Sequence, residues 1–472
     1  MKDQLLAAAL LLTVGFLCPA ATKAQIIASG GLHSLTVCAD STARSWGWNF
    51  DGQLGVGDTT DRPTPVQVSS LTGITAVAGG IRHSLFLKND GTVWACGGNT
   101  VGQLGDGTYT TRSTPVQVNS LTGITAVAGG GNHSLFLKND GTVWACGWNN
   151  QGQLGDGTTI NRSTPVQVNL LTGIIAVAGG SSHSLFVKND GTVWACGWNS
   201  TGQIGDGSTI SRTTPVQVIS LTGITAVAGG VRHSLFLKND GTVWACGYNN
   251  NGQLGDGTNT TRSTPVQISS LSGIAAVAGG GSYSSQLGIT IGHSVFVKND
   301  GTVWACGGNT NGQLGDGTYT NRSTPVLVTS LTGITAVACG NGYSLFLKSD
   351  GTAWACGIGS SGQLGDGSLI NQNTPPVQVT GPCDLSATTG DLSDGGSISV
   401  FPNPSSGQFS VAVPGSLRNA QLEVRNAMGQ TISIAAINRA SNELDLSAQP
   451  DGIYFLTIRT AEGIFTRRLI KQ

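Results

Sequence analysis

The chain has 472 residues, 24 Lys and Arg against 25 Asp and Glu, a formal net charge of −1 and only 10% charged residues. That balance offers no basic face to release counterions from nucleic acid or to hold an anionic membrane, so no nucleic-acid partner is expected. Glycine reaches 71 residues and falls at regular offsets among apolar runs, which reads as an all-β chain rich in tight turns.

The N-terminus, residues 1–24, reads as a secretory signal peptide. Lys2 opens it, Leu5 to Leu17 is apolar, and Thr22-Lys23-Ala24 forms a small-residue cleavage site before Gln25. The apolar run is too short to span a bilayer, and no other run is long enough, so no transmembrane segment is expected in the mature chain. Export permits disulfides. Of the ten cysteines, Cys18 leaves with the signal and six occupy one recurring "WACG" slot, which leaves Cys38, Cys339 and Cys383 as outliers.

Residues 25–381 repeat. The string "GQLG" or "GQIG" starts at Gly52, Gly102, Gly152, Gly202, Gly252, Gly312 and Gly362, so seven units follow at intervals of 50 residues, with one of 60. A fixed period of this size without helical periodicity predicts a seven-bladed β-propeller. The second unit supplies the strands "TPVQV", "ITAVA", "HSLFLK" and "TVWAC", with "NDG" as a hairpin turn. Because the first unit lacks "PVQV" and the last ends with it, Pro375–Val379 is expected to pair beside Ile26–Ser29 and close the ring. Strands flanking Ile26–Ser29 would lie about 10 Å apart, two strand spacings. A disulfide between Cys38 and Cys383 is then expected if "TGPC" curls across the blade end.

Residues 382–397 form a polar linker, and 398–472 read as a small C-terminal β-sandwich whose last hairpin pairs "IYFLTIRT" with "IFTRRLIKQ".

Two resemblances follow from these strings. "HSLFLKNDGTVWACGWNNQGQLGDGT", with its "GWNNQGQLG" core at Gly147 to Gly155, resembles the regulator of chromosome condensation repeat over about 26–381. That resemblance implies a seven-bladed propeller and leaves function open, since the family spans exchange factors, photoreceptors and secreted inhibitors. "FPNPSSGQF", "NAMGQ" and "DGIYFLTI" resemble the C-terminal sorting domain of type IX secretion substrates. This implies that the type IX machinery engages 398–472, and that the protein is secreted or held on the outer-membrane surface of a Gram-negative bacterium.

The six histidines, His33, His83, His133, His183, His233 and His293, share one slot on different blades. Rotation about the ring keeps them apart, so buried hydrogen bonding is expected and no metal site. The "GDG" aspartates offer one carboxylate per loop, too few for Ca²⁺, and are expected in solvated turns. The repeated thiols have no catalytic partner beside them. No catalytic residues and no cofactor are expected.

What varies between units is recognition-like. Arg82 and Arg232 precede "HS", Trp148, Trp198 and Tyr248 follow "CG", and Tyr283 lies in the ten-residue insertion Gly281 to Thr290. Arg and large aromatics at variable loop positions are the usual anchors of binding faces. Arg82, Arg232 and Tyr283 are expected on one face and the aromatic slot on the opposite one. The reading is an exported, non-catalytic scaffold that binds an extracellular protein or glycan. The alternative is a secreted hydrolase or lyase with a site in the propeller axis, which ionisable residues lining the channel would favour.

Overall fold

Each repeat places its smallest side chains where the blades converge. The computed structural model describes residues 26–284, 289–383, 399–401, 405–412, 421–426, 430–437, 441–460 and 463–471. The chain divides into two compact units, Met1–Cys383 and Asp384–Gln472.

In the first unit every repeat makes one antiparallel sheet of four strands in sequence order, and there are seven such sheets. Blade one comprises Ile26–Ser29, His33–Val37, Ala43–Gly47 and Arg62–Gln67. Blade two comprises Ile74–Gly79, His83–Lys88, Val93–Gly97 and Arg112–Gln117. The first strands of successive blades touch all the way round, including Ile26–Ser29 against Ile334–Cys339, so the ring is closed. Ala, Val and Gly suit this position because backbones meet there. A Cβ on Gly79 would sit 2.6 Å from the Gly30 amide nitrogen of the preceding blade. The second and third strands are buried on both faces, as Leu85, Phe86, Ala95 and Cys96 at 0% exposure show. Each inter-blade core mixes residues of two blades; Leu35 and Val68 of blade one pack with Phe86 and Cys96 of blade two.

The closing strand differs from expectation. Gln372–Gln378 is the outermost strand of blade seven and pairs with Ala353–Gly357 through Ala355↔Val377, while Ile26–Ser29 is the innermost strand of blade one and pairs with His33–Val37. Pro375–Val379 therefore does not pair with Ile26–Ser29. The "TPVQ" strand ends each blade, because its proline lacks an N–H and suits the strand whose free edge faces outward.

Covalent closure comes from another quarter. Cys38 and Cys383 form a disulfide with Cα atoms 5.3 Å apart. Val379 N–H donates to Ala353 O and Thr380 N–H to Gly365 O, as Val118 N–H does to Val93 O and Asn119 N–H to Gly105 O in blade two. The segment to Cys383 thus follows the path that connects one blade to the next elsewhere. At the junction of blades seven and one the disulfide stands where the other six junctions have a peptide connector.

The second unit holds two antiparallel sheets. One contains Ser399–Phe401, Gln408–Ala412 and Ser441–Asp445; the other contains Thr431–Ala436, Gln421–Asn426, Gly452–Thr460 and Gly463–Lys471 in that spatial order. Phe409, Val411, Leu422, Val424, Leu456 and Leu469 build its core. The final hairpin runs in register from Gly452↔Lys471 to Thr460↔Gly463.

Candidate functional site

The repeated polar residues serve the ring. Ser84 Oγ donates to Gln53 O at 2.7 Å, so its lone pairs receive the proton on His33 Nε2 at 2.9 Å. The same chain links His83 to Ser134, His133 to Ser184, His183 to Ser234, His233 to Ser294 and His293 to Ser344. All six rings are fully buried, and Nδ1 of each makes no hydrogen bond among the described residues. Burial holds His33, His133 and His233 down to about 3, and His83, His183 and His293 to about 4. The histidines are thus neutral bolts between blades. Among the described residues no three of His, Cys, Asp or Glu come together as metal ligands.

The thiols do similar work. Cys96 Sγ donates to Gln53 O at 3.4 Å and Cys146 Sγ to Gln103 O at 3.6 Å. Burial pushes these thiols far above the usual range, which leaves them unreactive.

Five of the "GDG" aspartates are not in solvated turns, while Asp366, among the described residues, bonds only its own turn residue Ser368. Asp106 has a side chain only 6% exposed and pairs with Arg112 at 3.0 Å. It also accepts from Asn99 Nδ2 at 3.0 Å and from the Thr108 N–H at 3.0 Å. Burial opposes its ionisation, but the Thr108, Arg112 and Asn99 hydrogen bonds outweigh it and hold the carboxyl below the usual range. The pattern recurs at Asp156, Asp206, Asp256 and Asp316. Each of these five carboxylates organises its own long loop.

The recognition candidates all lie at one end of the ring. Strands alternate in direction, so the turn after the first strand and the loop after the third share an end. Trp148 N–H accordingly donates to Asn132 O, Trp198 N–H to Ser182 O and Tyr248 N–H to Arg232 O. This corrects the expected split: the aromatic slot shares the face of Arg82 and Arg232. The structure brings Arg232 over Trp198, 4.3 Å from the ring centroid, with Tyr248 bonded to the same turn. Arg82 lies 5.1 Å over Trp48, and Phe50, 68% exposed, stacks on Trp48 at 6.0 Å. Phe50 escaped the sequence reading because it stands outside the aligned slots. Tyr109, Ile160, Ile210 and Tyr319 are also exposed on these long loops. The insertion extends a hairpin on this same face, pairing Gly281↔Gly292 and Tyr283↔Thr290; the Tyr283 side chain lies outside the described residues. The opposite end carries the repeated "NDG" turns and the exit of the chain at Cys383.

The junction of blades two and three is hollow on the loop face. Gly98 occupies the aromatic slot of blade two, and Asn132 stands where an arginine covers the slot at Trp48 and Trp198. The resulting cleft is lined by Asp51, Arg82, Gly98, Gln103, Asn132 and Trp148, among others. Gly308 also leaves the slot vacant, but there the hairpin residue Ile291 fills the space. The axis, in contrast, is lined by residues such as Ala76, Val77, Gly80, Ser29 and Cys339, with no ionisable group among the described residues except the Cys339 thiol, which burial raises to about 12.

Comparison with known proteins agrees with this architecture. The regulator of chromosome condensation (RCC1) repeat matches residues 45–87, 90–137, 140–187, 190–237, 240–287 and 300–347, more than half of the chain. The ultraviolet-B receptor UVR8 of Arabidopsis thaliana is 47% identical over 51 residues, which is 11% of this chain and only 12% of that protein. Human WBSCR16 matches with a TM-score of 0.63 at 24% identity, covering 72% of this chain and 94% of that one. Yeast RCC1 (Prp20), solved with Kap60 bound, matches with a TM-score of 0.64 at 21% identity, covering 73% and 84%. At these identities the solved structures establish the fold alone. A secretion-system C-terminal sorting domain matches residues 399–472, which assigns the protein to type IX secretion and a secreted or cell-surface location. The chain therefore belongs to the RCC1 repeat family and carries a type IX sorting tail.

Proposed function

We propose that the protein is a non-catalytic propeller that binds a protein or glycan partner outside the cell through its long-loop face. One observation carries the reading: the departures from the repeat that put Arg and aromatic side chains at the surface gather at one end of the ring. Arg82, Arg232, Trp148, Trp198, Tyr248 and Phe50 all belong to that end. The other end repeats one exposed Lys-Asn-Asp-Gly turn, as at Lys88–Gly91 and Lys138–Gly141. Rigid aromatics with Arg stacked on them are anchors whose ordering cost is already met in the free protein. Among the described residues the axis lining offers no paired acid and base to favour the alternative, a secreted hydrolase or lyase. The test is capture of envelope and medium components by the mature protein, compared with an Arg82→Ala/Arg232→Ala/Phe50→Ser variant and with Lys138→Ala/Asp140→Ala on the other end. Capture lost only in the first variant supports the reading; capture lost only in the second overturns it.

A further inference from the structure

We infer that the cleft above Gly98 is a binding site for a neutral sugar ring. The inference rests on the loop face being a binding surface and adds which part of it reads a small polar ligand. The cleft arises from two substitutions at one junction. In blades one and four the slot holds Trp48 and Trp198, each covered by an arginine of the next blade. In blade two it holds Gly98, and the covering residue of blade three is Asn132. The space is not a packing accident shared by every glycine slot, because Ile291 of the long hairpin occupies the counterpart at Gly308.

The walls are chemically specific. Trp148, half-buried, lines one side. Gln103 is 1% exposed, against 0% for its six counterparts in the other blades. Its Oε1 accepts from the Val101 N–H at 3.2 Å, its Nε2 makes no hydrogen bond among the described residues, and the residue lines the cleft. In all six counterparts Nε2 is sealed from solvent. Asn132 adds a second amide, also without a side-chain bond among the described residues. Arg82 Nη1 lies 3.4 Å from Asp51 Oδ2, so the charged residues of the cleft balance one another.

A charge-balanced pocket suits neither a free anion nor a free cation. Its carboxylate accepts from hydroxyls, its amides both donate and accept, and its indole is an apolar group beside them. A pyranose matches each of these in turn, with vicinal hydroxyls around its edge and C–H bonds on its face.

Saturation-transfer NMR on the mature secreted protein tests this with a panel of neutral hexoses and N-acetylhexosamines and with sodium acetate as the anionic probe. At least one neutral sugar should bind with a millimolar Kd that excess acetate leaves unchanged. Gly98→Trp, which installs the residue of the neighbouring blades, should raise that Kd by at least about tenfold. Asp51→Asn, which keeps the shape of the wall, should raise it about threefold or more with the fold intact. Absence of binding by every neutral sugar, equal binding in wild type and Gly98→Trp, or displacement by acetate overturns the inference. If Gly98→Trp keeps capturing a macromolecular partner while no sugar binds, only the cleft assignment falls; loss of capture in the Arg82→Ala/Arg232→Ala/Phe50→Ser variant remains the separate test of the face.

Discussion

The six histidine bolts should make the propeller acid-labile in a window set by their burial. Each folded-state pKa lies at about 3 or 4, held there first by burial, against 6.5 for a free imidazole. Between those values the unfolded chain binds protons that the folded chain refuses. Stability is therefore complete above about pH 7 and falls as pH drops toward the folded values. At about pH 5 a single histidine with such a shift costs roughly 2 kcal/mol, so six together cost roughly 12 kcal/mol, comparable to the whole stability of a typical domain. The slope there approaches about 8 kcal/mol per pH unit, six protons' worth. Carboxylates with unfolded values near 4 add little in this window. Protonation has no local remedy, because Nδ1 faces no acceptor among the described residues. All ten tryptophans lie within the ring, so tryptophan fluorescence in denaturant titrations reports its unfolding. His133→Gln should reduce the slope by about 1.4 kcal/mol per pH unit, and Tyr343→His should raise it by a similar step. A stability change under about 2 kcal/mol between pH 7 and 5, or a slope unchanged in His133→Gln, would refute this account.

Three further outcomes are expected. Cys383→Ser should lower stability by roughly 6 kcal/mol in the chain-entropy account while leaving the blades formed; unreduced peptide mapping that finds Cys38 and Cys383 both alkylated would remove the basis for it. Deleting residues 398–472 should leave a folded propeller retained in the periplasm, and its appearance at the surface or in the medium counts against the sorting role. Asp106→Ala should cost about 2–4 kcal/mol by stranding Arg112 and Asn99 inside their loop, read as a shift in the denaturant midpoint; a cost below about 0.5 kcal/mol would mean that solvent replaces the carboxylate.

The strand content was legible because period-50 repetition exposes it seven times over. "HSLFLK" and "VWACG" are strands His83–Lys88 and Val93–Gly97. The phase of the blade was not read correctly, although its signal was present in Pro115, an edge-strand residue placed at the start of a unit. The faces were equally derivable: three alternating strands put the Arg82 turn and the Trp148 loop at one end. Other features were out of reach. Gly98 and Gly308 look alike in sequence, and only the folded hairpin, with Ile291 over Gly308, makes one a cleft and the other a filled junction. Asp106 reads as a turn residue until Arg112, Asn99 and Thr108 are seen to converge on it.

The junction of blades seven and one shows why the repeat is broken where it is. Six junctions inherit a peptide connector; this one joins blades whose residues are more than 300 positions apart. At the thiol slot blade one carries Trp46, fully buried, whose Nε1–H donates to Gln363 O at 3.0 Å where Cys96 Sγ–H donates to Gln53 O. At the histidine slot blade seven carries Tyr343, whose hydroxyl donates across the junction to His33 O and receives the Ser34 hydroxyl at 3.1 Å. Both replacements keep the hydrogen bond and add buried apolar area between the two blades. The Cys38–Cys383 disulfide then supplies the covalent link. A ring of seven identical blades would have been weakest at this junction. The exceptions there act where blades seven and one meet, whereas those at Gly98, Arg82, Trp198 and the long hairpin lie at other junctions on the long-loop face. The two kinds of irregularity are thus separable by where they lie, and the second kind marks the face we propose as the binding surface.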